Sequence, residues 1–169
     1  MGYSTDFYGQ FNLDKPLTVA HLNYLTKFAE TRRMKRNASI LENSDKTLTH
    51  QKVGLPIGIQ GEYFVDGAGS YGQEKDDSIL EYNSPPDTQP GLWCQWTPSE
   101  DGTAIVWDEG EKFYDYEKWI EYIIQNFLKL WGYTLNGEVK WEGEGSGDMG
   151  KMSIVDNVLT VKRATITYE

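Results

Sequence analysis

The sequence predicts an α+β protein: one domain, residues 1–169, built on a mainly antiparallel sheet with two helices in a ferredoxin-like β-α-β-β-α-β order. Three observations carry this. Residues 3–13 alternate with period two, the mark of a half-buried strand. Two windows, from Val19 and from Ile120, place apolar residues at helical spacing. Between and after them, turn residues separate short β-rich runs.

The elements follow in chain order. Tyr3, Thr5, Phe7, Gly9, Phe11 and Leu13 fall on one face of the first strand. Asp14 can cap a helix and Pro16 suits its first turn. Val19, Leu22, Leu25, Phe28 and Ala29 form its apolar stripe, which predicts a helix reaching Lys35. Residues 37–91 read as a long irregular insert. It has a polar stretch at 37–52, a short strand at 62–65, a glycine-rich turn at 67–72 and a proline-rich end. Residues 92–97 and 103–108 predict a hairpin around Ser99-Glu100-Asp101-Gly102. Asp115 can cap a second helix carrying Ile120, Ile123, Ile124, Phe127, Leu128 and Trp131, and Gly132 ends it. Asn136-Gly137 predicts a turn, 138–142 a strand, and 152–155 with 158–162 a C-terminal hairpin around Asp156-Asn157, with 165–168 a further extension.

Composition narrows the function. Only 38% of the 169 residues are hydrophobic, but 14% are aromatic, so rings carry much of the burial. The formal charge of -10 disfavours duplex DNA and anionic membranes and favours a partner with a basic surface. One cysteine rules out an internal disulfide, and no Cys/His set has zinc-ligand spacing. No leader-like or membrane-spanning stretch is evident, so the expectation is a cytoplasmic protein needing no cofactor or metal.

Three groups of residues are candidate sites. Trp93 and Trp96 follow the proline-rich loop; on a 92–97 strand they would face opposite ways, so one could serve as a platform for a base, a sugar or a partner's side chain. Arg32, Arg33 and Arg36, with Lys35, concentrate positive charge at the predicted end of the first helix. There they would offset the helix dipole or hold a phosphate. Asp108, Glu109 and Glu111 crowd one loop, as solvated acids, a carboxylate site or a mimic of a phosphate backbone. No P-loop, G-x-S-x-G or dinucleotide fingerprint is present. Cys94 reads as an inert core thiol.

The segments GYSTDFYGQFNLDKPL, FAETRRMKR, QPGLWCQWTPSEDGTAIVWDEGEKFYDYEKWIEYI and GYTLNGEVKWEGE together resemble a group of small uncharacterised proteins of bacteria and their phages. The resemblance implies a phage or prophage context and no particular activity. Function is therefore expected in one of three forms. The first is a non-enzymatic acidic binding protein that sequesters or occludes a host component. The second is a binder of a nucleotide-like ligand through the tryptophans and arginines. The third is an enzyme using carboxylates such as Asp108, Glu109 or Glu111.

Overall fold

The computed structural model describes residues 2–42, 49–65 and 75–169. In chain order the elements are β1 (Thr5–Leu13), α1 (Val19–Glu30), β2 (Lys35–Arg36), α2 (Ala38–Glu42), α3 (Thr49–Lys52), β3 (Ile79–Glu81), β4 (Trp96–Pro98), β5 (Ala104–Trp107), α4 (Tyr116–Ile123), α5 (Lys129–Trp131), β6 (Leu135–Gly143), β7 (Met149–Val155) and β8 (Val158–Arg163). The fold is α+β. Its six-stranded sheet has the order β4-β5-β1-β6-β7-β8, with every neighbouring pair antiparallel. The chain divides into two compact units, 1–16 with 95–169, and 17–94.

The first unit holds the whole six-stranded sheet. Directly paired residues share a face, so the register sorts the side chains. Phe7 pairs with Trp141, Phe11 with Ile105 and Gly137, and Val139 with Met152. These residues, Trp96 and Ile154 form the packed face. Phe7 is the hub of its aromatic contacts. Its ring lies 5.4 Å from Trp96, 5.2 Å from Trp107 and 4.9 Å from Tyr116, each edge to face. Each such pair contributes about 0.5–1.5 kcal/mol beyond simple burial. α4 supplies Tyr116, Trp119, Ile120 and Ile123, and desolvation against this packing pushes the Tyr116 hydroxyl up to about 12. The helix continues through a π turn, Ile124–Leu128, into α5 and stops at Gly132 (φ 83°), the residue marked as its terminator.

The second unit is built on α1, which buries Tyr24, Leu25, Phe28 and Ala29. Leu41, Ile57 and Phe64 form a further apolar cluster there. β2 and β3 pair as a two-stranded ribbon.

Several expectations need correction. The first helix starts at Thr18, whose hydroxyl caps the His21 N–H at 3.2 Å; Asp14 instead accepts from the Thr134 N–H at 2.9 Å. The helix ends at Glu30 rather than Lys35, because Thr31 turns extended and Lys35 N–H bonds to the Ser84 carbonyl at 2.8 Å. Residues 62–65 form no strand; a single 3-10 turn, Ile59–Gly61, precedes them. The polar stretch from 37 contains the short helices α2 and α3, while the glycine-rich turn at 67–72 lies outside the described residues. Asn136-Gly137 continues β6 instead of turning, since the long β1 partner holds both residues in register. Residues 165–168 add no strand. Asp156 and Asn157 do make the tight turn, with φ of 48° and 68°.

Candidate binding surface

The residues singled out by sequence are placed as follows. β4 begins only at Trp96, so the predicted alternation over 92–97 does not apply. Trp96 is buried, and its indole N–H donates to the Tyr116 carbonyl at 2.8 Å. Its rings meet Phe7, Phe11 and Phe113 within the core and offer no open platform. Trp93, in the other unit, is half-buried, and Cys94 is fully buried.

The arginines lie beyond α1 on an extended segment and not in its last turn, where Lys27 is the basic residue. Arg32 stacks over Tyr82 at 4.3 Å and donates to the Tyr82 carbonyl and Asn83. Arg33 is buried over Phe28 and donates to the Glu62 carbonyl at 2.8 Å. Arg36, 1% exposed, lies over Phe64 and donates to Asp76 at 3.1 Å and Ser78 at 2.7 Å. Each guanidinium bonds to groups remote in sequence, Arg32 and Arg33 to backbone carbonyls and Arg36 to side chains. Desolvation raises the Asp76 carboxyl, but hydrogen bonds from Ser78 and the charge and bond of Arg36 outweigh it and hold it below its ordinary value.

Asp108, Glu109 and Glu111 are exposed. Asp108 accepts the Gly110 N–H at 2.8 Å, an Asx-type turn, and Glu109 takes a left-handed φ of 65°. Among the described residues no three His, Cys, Asp or Glu side chains converge as a metal set.

Sequence reading did not single out the other face of the sheet. Opposite the aromatic core, the register aligns Tyr8 with Lys140, Lys140 with Lys151, and Lys151 with Lys162. Four adjacent strands, β1, β6, β7 and β8, thus present one aromatic and three lysines in a single transverse row. Neighbouring strands are about 4.8 Å apart, so the lysines span roughly 10 Å. Tyr8 is 55% exposed, and Lys140 and Lys162 are also exposed. Lys151 pairs with Glu138 at 3.2 Å; among the described residues Lys140 and Lys162 form no ion pair. The row lines a groove of about 390 Å³, bordered by Glu142, Met149 and Ala164. The signal was in the sequence, in Tyr8, Lys140, Lys151 and Lys162, but each lies in a different segment. Only the register assembles them.

One edge of this groove is locked from the packed face. The Trp141 indole N–H donates to Asp148 at 3.1 Å, and Tyr3 donates to the same carboxylate. The Tyr3 bond, then the Trp141 bond, keep Asp148 below its ordinary value against desolvation. Gly150 lets the Trp141 ring lie on β7: a Cβ there would come within 2.4 Å of the ring and of the Lys162 carbonyl.

No protein-family model, curated protein or solved structure matches this chain. Among the described residues no helix is long and apolar enough to cross a membrane.

Proposed function

We propose that this chain is a non-enzymatic binding protein whose contact surface is the uncovered face of the six-stranded sheet. One observation carries the reading: the aligned Tyr8, Lys140, Lys151 and Lys162 on that exposed face. Like charges directly opposite one another destabilise a sheet. Glu138 offsets Lys151 at 3.2 Å, but Lys140 and Lys162 form no ion pair among the described residues, and an anionic partner would relieve them. The order β4-β5-β1-β6 supports viewing those four strands as a ferredoxin-like core, with β7 and β8 widening the binding face.

A second reading keeps the acidic loops as the contact. Exposed Asp108, Glu109 and Glu111 would dock on the basic surface of a host protein and occlude it, in the phage or prophage setting that the sequence resemblance implies. The two readings separate in one experiment. Tagged protein recovered gently from a host lysate is weighed by native mass spectrometry beside two variants, Y8A/K162Q and E109Q/E111Q. A bound mass lost only from the first variant supports the sheet face. A mass lost only from the second moves the contact to the acidic loop. A bare wild-type chain refutes both.

A further inference from the structure

Resting on the sheet-face reading, we infer that the groove takes a nucleoside polyphosphate, with its phosphates across Lys140, Lys151 and Lys162 and its base on Tyr8. The shape of the charge selects this class. A single phosphate or carboxylate is best held by donors converging on one point. Here the three lysines stand on adjacent strands at positions spread over roughly 10 Å, with Lys151 also bonded to Glu138; that spread is the reach of a short phosphate chain and not of one anion. The line ends, one strand further, at an exposed aromatic ring. Base–aromatic stacking of this kind strengthens binding by roughly 10-fold.

The positive strip is narrow. On one side lies the row of Asp6, Glu142 and Met149; on the other, the row of Gln10, Glu138, Ser153 and Thr160. A single-stranded nucleic acid leaving the strip in either direction along the strands would meet Glu142 and Asp6 or Glu138. The overall charge of -10 adds to that repulsion. A compact polyanion stays within the strip. The groove volume of about 390 Å³ falls in the range typical of small-molecule sites. Glu142, two positions along β6 from Lys140 and on the same face, would accept from a ribose hydroxyl in this pose.

The lysines' cost to the free protein gives an independent readout. Relieving cross-strand repulsion leaves the unliganded fold as stable as wild type or more so, while affinity falls.

The test is calorimetric titration of the whole chain, in low salt without magnesium, with four probes: ATP, tripolyphosphate, adenosine and a six-nucleotide oligothymidylate. The expected order is ATP tightest, tripolyphosphate about 10-fold weaker for want of stacking, and adenosine weaker still. K140Q/K162Q should lose at least about 10-fold for ATP and for tripolyphosphate alike, with no fall in melting temperature. Y8A should lose affinity for ATP only. No heat with ATP at millimolar concentration overturns the inference, as does equal ATP binding by wild type and K140Q/K162Q. Tighter binding of the oligothymidylate than of ATP also overturns it and assigns the face to single strands. If ATP fails while Y8A/K162Q still loses a lysate-derived mass, the ligand class is wrong and the sheet-face reading stands. If neither responds, both fall.

Discussion

Arg36 offers the sharpest test of what the arginines beyond α1 do. Its guanidinium is 1% exposed, bonded to Asp76 at 3.1 Å and Ser78 at 2.7 Å, and stacked on Phe64 at 4.3 Å. Truncation in R36A removes two charge-assisted bonds, worth about 1.5–3 kcal/mol each before compensation. The contact with Phe64 adds on the order of 1 kcal/mol. Asp76 is 31% exposed, so its carboxylate recovers water and returns part of this. The net expectation is a loss of about 3 kcal/mol. D76N alone should cost about 1 kcal/mol, and the double variant should show a coupling of about 1 kcal/mol. Urea unfolding followed by far-ultraviolet circular dichroism measures all three. Hydrogen exchange at Asn37, whose N–H bonds to the Ser78 carbonyl at 2.6 Å, should accelerate in R36A. If R36A falls within 0.5 kcal/mol of wild type and adds independently to D76N, Arg36 is not a fastening of this unit. The arginine cluster then returns as an anion site.

Further outcomes follow from the same geometry. G150V forces a side chain into the Trp141 ring and the Lys162 carbonyl, costing about 1–3 kcal/mol, which thermal melts would register as a drop of roughly 3–10 °C. W96F removes the N–H bonded to the Tyr116 carbonyl and should cost about 1–3 kcal/mol in urea titration while leaving ATP affinity unchanged; a selective loss of affinity would return Trp96 to the site. Asp148 has a folded-state pKa below its ordinary 3.8, so its contribution is complete above pH 3.8 and disappears as pH falls through the folded value. Melting from pH 6 to pH 2 should therefore show a shallower acid limb for D148N than for wild type; parallel curves would contradict the Tyr3 and Trp141 bonds.

The periodic elements were legible because their burial is local. β1 alternates, with Thr5, Phe7 and Phe11 buried, and α4 carries its stripe on one side, so the pattern alone marks them. The hairpins of β4 with β5 and β7 with β8 follow from turn residues. What misled were residues whose role is decided by distant partners. Asn136-Gly137 has turn chemistry, but nine paired positions with β1 override it. Arg33 and Arg36 resemble a helix-end cluster, yet Phe28, Glu62, Phe64 and Asp76 draw them into the interior. Trp96 looked available for stacking until the Tyr116 carbonyl and three phenylalanines claimed it. The lysine row was invisible for a related reason: its members are 11 residues apart or more, and only strand pairing makes them neighbours.

The partners of β1 are the most distant in the chain. Thr5 pairs with Gly143 and Phe11 with Ile105, so the central strand of the sheet waits past residue 100 for its first partner and past residue 140 for its second to be complete. During synthesis, residues 17–94 emerge and can close their own contacts first, because that unit needs nothing later in sequence to complete its β2–β3 ribbon. Throughout this interval an alternating aromatic strand stands with both hydrogen-bonding edges open, the state most exposed to wrong pairing with other chains. Closing loops of this length makes sheet assembly the slow event. The yield of native protein therefore depends on how quickly β5 and β6 reach β1, and dilution should raise it, and slowed translation lower it, more than added stability in the sheet changes it.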